Sequence, residues 1–131
     1  MNDRAILTLQ ASTREQTGVA GNGATFDVSM YSSAVFFLCV TAQGSYTDET
    51  LDVKIQTKDP LSGNWVDLTW EDGTGTPQNT AFTQVGDKTG SVPYTERIVC
   101  LDLPDSHIRV YWVAAGTAED YTFSVSAVVK G

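Results

Sequence analysis

Alternation of apolar and polar residues near the C-terminus is the feature of this sequence that most constrains its fold. In residues 121–129 the odd positions are all apolar, and the even positions carry Thr122, Ser124, Ser126 and Val128. Residues 106–115 repeat the pattern. A period of two places one face of a β-strand against a core. Both segments are therefore predicted to be β-strands.

The link between these two segments is short and contains a glycine. Gly116-Thr117-Ala118 joins them, and a glycine-containing link of this length between two alternating segments is a hairpin signal. We predict that the two strands pair with each other as a hairpin. This hairpin is expected to lie at the centre of a β-sandwich that the earlier strands complete.

The rest of the chain contains further short segments of strand character. The predicted strands are residues 5–11, 25–30, 34–40, 51–57, 65–70, 81–85 and 97–103. Pro60 fixes φ and Gly63 supplies a positive φ in the turn at residues 58–63, which predicts a second hairpin between 51–57 and 65–70. About eight or nine short strands separated by turns predict an all-β, antiparallel β-sandwich, with the jelly roll as one such arrangement.

The same alternation assigns side chains to the core. The residues predicted to face inward in the second hairpin are Leu51, Val53, Ile55, Val66, Leu68 and Trp70. Residues 34–40 form the most apolar run, which predicts a strand buried on both sides or, alternatively, one that lies in an interface between subunits. Cys39 and Cys100 lie in apolar strand patterns and are predicted to be buried free thiols.

The N-terminal region is more polar than the rest. Residues 12–23 carry Gly18, Gly21 and Gly23 and are predicted to form a loop. Residues 1–23 are therefore expected to form an N-terminal strand and a flexible arm. Residues 24–131 would form the body of the sandwich, and the whole is one domain, because 131 residues can bury a core of their own.

Charge and the start of the chain indicate its surroundings. The net charge is −8 and the eight Lys and Arg residues are scattered, so neither nucleic acid nor an anionic membrane is expected as a partner. The run at residues 34–40 is too short to span a bilayer. Residues 1–4 do not begin a secretory signal, so the protein is expected to be made in the cytoplasm and either to stay soluble or to leave by a route other than secretion.

No set of residues predicts catalysis or cofactor binding. Asp105, Ser106 and His107 are neighbours in sequence, but neighbours in a strand point to opposite faces, whereas a catalytic triad needs convergent side chains. Gly18, Gly21 and Gly23 do not precede a helical pattern, so no phosphate site is expected. Catalytic and cofactor-binding residues are therefore predicted to be absent.

The sequence predicts neither a metal site nor a catalytic pair of carboxylates. One His and two distant Cys give no zinc spacing. Residues 71–75 have the composition of a calcium loop without its ligand pattern, so no metal site is predicted. Three acidic pairs are predicted to be solvated turn residues and not a pair across a cleft. They are Asp48 with Glu49, Glu71 with Asp72, and Glu119 with Asp120.

Aromatic residues outside the predicted core are candidates for a binding surface. Trp65 lies beside a turn, and Tyr46 and Tyr94 lie in predicted loops. Amphipathic rings suit both sugar faces and protein interfaces, so these residues would form the platform of a carbohydrate-binding module or a contact with another protein. Trp70 and Trp112 fall on inward positions and are predicted to be core.

Several motifs resemble small β-sandwich virion proteins of tailed bacteriophages. In those proteins a strand, a turn like Asp59-Pro60-Leu61-Ser62-Gly63-Asn64-Trp65 and a second strand precede two later strands. Those strands match Ile108-Arg109-Val110 and Tyr121-Thr122-Phe123-Ser124-Val125 here. The segment at residues 82–84 extends the resemblance. The N-terminal region up to Gly23 matches least.

The resemblance implies a structural role in the virion. It implies a capsid decoration (cement) protein, a homotrimer at local threefold positions on the capsid surface that bridges copies of the major capsid protein. The alternatives are a neck or tail-completion protein and, from another class, a carbohydrate-binding module; an enzyme is not expected. Residues 1–23, 71–80 and 86–94 are expected to contact the capsid or neighbouring subunits. Deleting residues 1–12 is then expected to abolish capsid binding and leave the fold intact.

Overall fold

Strands joined by turns and loops make up the described chain. The computed structural model describes residues 3–16, 20–44, 49–86, 92–116 and 120–131, and these contain no helix. The strands are β1 (Arg4–Glu15), β2 (Ala20–Asn22), β3 (Phe26–Asp27), β4 (Ser33–Gln43), β5 (Thr50–Lys58), β6 (Trp65–Asp67), β7 (Thr69–Glu71), β8 (Pro77–Asn79), β9 (Val85–Gly86), β10 (Tyr94–Cys100), β11 (His107–Ala115) and β12 (Tyr121–Lys130).

Two antiparallel sheets pack against each other. The four-stranded sheet has the order β1-β12-β4-β10, and the six-stranded sheet has the order β2-β11-β5-β6, with β3 also paired to β11 and β9 to β5. The chain changes sheet between β4 and β5, between β10 and β11, and again between β11 and β12. This wrapping of antiparallel strands between two sheets is the jelly-roll arrangement. The predicted β-sandwich is confirmed.

The predicted pairing of the two C-terminal strands is wrong, although both strands are central. β11 lies between β2 and β5 in one sheet, and β12 lies between β1 and β4 in the other. They meet across the core, where the Trp112 and Phe123 rings make an edge-to-face contact at 5.3 Å between centroids. A short link shows only that the chain reverses direction. Two strands joined by such a link can bury their apolar faces against each other across the sandwich as well as side by side in one sheet. The link at residues 117–119 lies outside the described residues.

The second predicted hairpin is confirmed. β5 and β6 pair antiparallel with Lys58 opposite Trp65, and Gly63 has φ 77° in the turn between them. Leu51, Val53, Ile55 and Leu68 are buried as predicted, and Trp70 is half-buried against the core. Val66 is 52% exposed, so its predicted burial is wrong. It lies on β6 at the edge of its sheet, where the core does not extend far enough to cover it.

The N-terminal segment is more regular than predicted. β1 extends to Glu15, and β2 pairs with β11, so the loop predicted for residues 12–23 is wrong over these strands; residues 17–19 lie outside the described part. Leu9 of β1 is fully buried. Deleting residues 1–12 would remove most of β1 together with this core side chain, so we now expect the truncated chain to unfold.

The two edge strands of the four-stranded sheet differ in regularity. The register between β1 and β12 shifts between Thr8 and Gln10 and again between Gln10 and Thr13. β10 pairs with β4 from Tyr94 to Cys100 without a shift. Bulges increase twist and leave residues unpaired in the ladder, so β1 is an irregular edge and β10 a regular one.

Burial alternates along the central strands. In β4 the side chains of Ala34, Phe36, Leu38 and Val40 are buried, and those between them are half-buried. The prediction that residues 34–40 are buried on both sides is therefore wrong within a single chain. The other face of this strand is an outer surface of the sandwich. The largest fully buried side chains of the core include Tyr121, Phe36, Phe123, Leu9, Leu38, Leu51, Ile55 and Ile108.

Two glycines of the N-terminal segment allow close packing between strands. A Cβ atom on Gly21 would lie 2.6 Å from the Trp112 ring, and one on Gly23 would collide with the Leu9 carbonyl oxygen. Gly23 N also donates to Val110 O at 3.0 Å. The glycine spacing therefore serves strand packing in this structure. Gly18 lies outside the described residues.

Aspartate side chains hold the exposed turns in place. Asp59 accepts hydrogen bonds from Leu61 N at 3.0 Å and from Ser62 Oγ at 2.6 Å. Asp72 accepts bonds from Thr74 N at 2.8 Å and from Thr74 Oγ1 at 2.6 Å. These bonds favour the charged form, and the hydroxyl of Ser62 or Thr74 makes the largest contribution to lowering the pKa of Asp59 or Asp72.

The segment with calcium-loop composition is a β-hairpin. β7 and β8 pair with Trp70 opposite Gln78, so the loop predicted for residues 71–80 is wrong. The Asp72 carboxylate receives N–H and O–H donors from the turn. Its oxygens therefore brace the hairpin in this structure. The other predicted contact loop, residues 86–94, falls largely on residues 87–91, outside the described part.

Removing the Phe123 ring should destabilise the sandwich severely. Because this buried ring contacts Trp112 across the core, we expect Phe123→Ala to lower the free energy of unfolding by about 3–5 kcal/mol, measured by urea denaturation. Ile6→Ala is the matched control: Ile6 is 78% exposed, so its effect should stay within about 0.5 kcal/mol. Equal losses in the two variants would contradict this assignment of the core.

Acid should weaken the turns that Asp59 and Asp72 brace. Their native pKa values lie below the ordinary value of 3.8, so the stabilisation is complete above that value and is lost as the pH falls through the lowered values. We expect the Tm of the wild type to exceed that of the Asp59→Asn, Asp72→Asn double variant at pH 6. The two should converge at about pH 2. Ile6→Ala should keep the wild-type pH dependence, and a constant gap would contradict the mechanism.

Candidate interaction surfaces

The outward side of the four-stranded sheet forms a continuous surface, here called the outer face. Strand register places its side chains in rows that cross the sheet. The rows are Arg4, Lys130 and Ser33; then Ile6, Val128, Val35 and Val99; then Thr8, Ser126, Phe37 and Arg97; then Ser124, Cys39 and Thr95. Residues on the opposite side of the same strands fill the core, so these rows face away from it.

One row of the outer face is entirely aliphatic. Ile6 lies opposite Val128, Val128 opposite Val35, and Val35 opposite Val99. Ile6 is 78% exposed and Val99 39% exposed, and the two central valines are half-buried. Phe37 stands in the adjoining row. A contiguous apolar strip across a whole sheet differs from scattered exposed apolar residues, because contiguous strips mark interaction sites.

The charge of the outer face is opposite to that of the chain. Arg4, Lys130 and Arg97 lie in its rows, and these rows contain no Asp or Glu. The chain as a whole carries a net charge of −8. The outer face therefore joins an apolar centre to a positive margin on an acidic protein.

The outward side of the six-stranded sheet is polar and paired within itself. The Arg109 guanidinium lies 4.4 Å from the centroid of the Trp65 ring and donates through Nε to Gln56 at 2.9 Å. Lys54 forms an ion pair with Asp67 at 2.9 Å and lies 5.6 Å from the Tyr111 ring centroid. Cation–π stacking and ion pairing thus already engage these groups within the chain.

A shallow cavity of about 470 Å³ opens on this side. Its lining residues are Asp52, Val53, Lys54, Asp67, Ala81, Phe82, Tyr111 and Val113. Gln84 Nε2 donates to both carboxylate oxygens of Asp52 at 3.0 Å. The polar groups around the cavity therefore bond chiefly to one another.

The aromatic platform predicted from the sequence does not assemble. Trp65 lies on β6 of the six-stranded sheet, where Arg109 stacks on its ring. Tyr94 lies on β10 of the other sheet and donates its hydroxyl to Glu96 at 2.8 Å. This bond raises the pKa of Tyr94. Tyr46 lies outside the described residues.

The acidic pairs do not share one environment. Glu49 is buried, and its Oε2 accepts a hydrogen bond from Asp120 N at 3.2 Å, so the prediction of a solvated turn is wrong for Glu49. The Asp120 carboxylate binds Arg14 Nε at 3.0 Å, and this bond lowers the pKa of Asp120. Asp48 and Glu119 lie outside the described residues. The buried carboxylate and the ion pair tie the start of β12 to β1 and β5.

The single histidine, His107, and its neighbours Asp105 and Ser106 lie at and just before the start of β11. Ser106 Oγ donates to Lys58 O at 2.6 Å, so this hydroxyl is used to join the start of β11 to the end of β5. His107 and Asp105 are exposed. Among the described residues, no group of three or more His, Cys, Asp and Glu side chains could hold a metal ion.

The two cysteines are free thiols, as predicted, but only one is buried. Cys100 points into the core, where burial raises the pKa of its thiol. Cys39 is half-buried on the outer face, between Ser124 and Thr95. The predicted burial is therefore wrong for Cys39. Across the described part of the chain, no helix is long and apolar enough to cross a membrane.

The outer face could not be recognised from the sequence. Ile6, Val35, Val99 and Val128 occur on four strands that are far apart along the chain, and each occupies the less apolar side of its strand. Only the order and register of the strands place them in one row. The apolar side chains at the alternate positions Val35, Phe37 and Cys39 were the one available signal, and residues 34–40 were predicted to be buried on both sides or to lie in an interface.

Comparison with solved structures shows which fold this is. The VP2 subviral particle of infectious bursal disease virus matches 98% of the chain with a TM-score of 0.60 at 17% identity. The Gx strain of the same virus matches 99% with a TM-score of 0.56 at 15% identity. YomS, a protein derived from the SPBc2 prophage, matches 100% with a TM-score of 0.51 at 13% identity. No protein-family model and no curated protein matches the sequence.

The lengths of these proteins differ. The chain spans only 32% of the VP2 chain and 33% of the chain from the Gx strain, but 96% of YomS. At these identities the likeness concerns the fold. The chain therefore has a β-sandwich fold that also occurs in a viral capsid protein and in a prophage-derived protein.

Proposed function

We propose that this chain is a structural protein of a virion. The observation that carries the proposal is the match of its complete jelly roll to VP2 and to nearly the full length of YomS. The side chains of the described residues also fit a structural role, because they take part in core packing, in hydrogen bonds that brace turns and in contacts within the chain. Serving as a rigid part with large outer surfaces needs no catalytic group, so an enzyme is not part of this proposal.

The finer proposal is a decoration protein of a tailed-bacteriophage capsid. The resemblance of the turn and strand motifs to small phage virion proteins supports it, and so does the prophage origin of YomS. In this role a homotrimer binds the major capsid protein at repeated positions on the capsid surface and bridges neighbouring subunits. Many equivalent sites add up through avidity, so each contact is modest. Nucleic acid and membrane are not partners in this role.

Binding to phage heads tests the proposal directly. We expect the purified chain to co-sediment with expanded heads that lack it, taken from the virus that encodes it. Binding should saturate, excess unlabelled protein should compete with it, and it should raise the temperature at which the heads disrupt. Absence of binding to such heads, with the folded protein in excess, would overturn the proposal of a decoration protein.

The position of the bound protein separates decoration from a neck or tail role. Gold-labelled protein should appear over the whole shell in electron micrographs if it decorates the capsid. Label confined to one vertex or to the tail would favour the neck or tail-completion alternative.

The solution mass tests the oligomer. Light scattering behind a sizing column should give three times the monomer mass of 14.1 kDa. A monomer at all concentrations would contradict a trimer in solution, and head binding would then be the test of whether copies assemble on the shell.

A carbohydrate-binding module is not favoured by this geometry. Trp65 stacks with Arg109, and Tyr94 belongs to the other sheet. We therefore expect no saturable quenching of tryptophan fluorescence by a panel of glycans. Saturable quenching that Trp65→Ala removes, while Ile6→Ala retains it, would contradict this expectation.

A further inference from the structure

We propose that the outer face docks onto an acidic protein surface with an apolar centre. This inference rests on the proposed function, in which that surface belongs to the capsid. The row of Ile6, Val128, Val35 and Val99 supplies the apolar contact, and Arg4, Lys130 and Arg97 supply the charge. The proposal thus names a binding surface and the chemistry of its partner.

The shape and composition of the outer face suit contact with a protein. Apart from Phe37, its remaining side chains are short hydroxyl residues and one thiol, with few rotamers to lose on burial. They are Thr8, Ser33, Ser124, Ser126, Thr95 and Cys39. An apolar centre with a polar rim of this kind is the usual anatomy of a protein–protein interface.

Area argues against a stable pair of copies held by this face alone. Four strands about 4.8 Å apart, with rows covering seven residues of each strand, give the outer face a projected area of about 450 Å². A stable two-protein interface buries about 800 Å² per partner. A contact of the smaller size is weak by itself and suits a site that repeats across a lattice, where avidity multiplies it.

Charge also argues against self-association through this face. A two-fold pair of outer faces would bring together two surfaces that each carry Arg4, Lys130 and Arg97 and have no Asp or Glu in their rows. Like charges brought together across an interface are repulsive, and this suppresses that partner. An acidic partner turns the same three cations into attractive contacts, which steer the encounter and weaken as salt is added.

Charge-reversed variants on the outer face test the proposal. Ile6→Glu places a carboxylate in the aliphatic row, and Arg97→Glu reverses a charge beside it. We expect each to weaken co-sedimentation with the heads about tenfold or more. Val66→Glu is the matched control on the six-stranded sheet, where Val66 is 52% exposed, and its affinity should stay within about twofold of wild type. Thermal unfolding of all three must show a folded protein.

Alkylation of the native thiol gives a second readout that needs no variant. Cys39 lies in the fourth row of the outer face, whereas Cys100 is buried in the core. Binding to heads should slow maleimide labelling of Cys39 at least about tenfold if the outer face is covered. Labelling at the same rate in free and bound protein would overturn the inference.

The outcomes separate this inference from the proposed function. If wild-type protein fails to bind heads, the decoration role fails and the inference fails with it. If wild-type protein binds and Ile6→Glu and Arg97→Glu bind equally well, the inference alone is overturned. If instead the outer-face variants convert a solution oligomer into monomers, a second copy covers the face, and the acidic partner is likewise excluded.

Discussion

The edge-to-face contact between Trp112 and Phe123 joins the central strands of the two sheets. Each sheet can bury its apolar side only against the other, so the architecture depends on the match between these inner faces. Neighbouring strands repeat the same division between inside and outside. The close approach of Gly21 to the Trp112 ring and the full burial of Leu9 show how tightly the N-terminal strands join this core.

Local sequence patterns predicted the elements of this fold better than their arrangement. The alternation in β11 and β12 correctly indicated strands and their inward residues, and the turn before Trp65 correctly indicated a hairpin. The pairing of β11 with β12 was wrong because alternation reports which side is buried and not which strand lies alongside. For the same reason, residues 34–40 indicated a buried strand, while the half-buried side of β4 remained ambiguous.

Burial of polar groups was the least predictable property. Glu49 reads as a turn carboxylate in sequence, yet it is buried and accepts the Asp120 backbone N–H. Asp72 was predicted only to be a solvated turn residue, and the sequence did not show that its carboxylate oxygens accept hydrogen bonds from its own turn. The outer face was equally hidden, because its aliphatic row draws one residue from each of four strands and exists only through their register. A site of that kind can be recognised only once the order and register of the strands are known.

The unequal edges of the four-stranded sheet limit how copies of this protein could join through backbone hydrogen bonds. Bulged β1 presents a poor template for another strand, whereas β10 presents a regular ladder. Head-to-tail growth would need β1 of one copy to pair with β10 of the next, and the bulges oppose it. Two β10 strands could still pair about a two-fold axis, which consumes both ladders and closes the assembly. Pairing through the edges of this sheet would therefore close on itself in a pair of copies and would not propagate as a fibre.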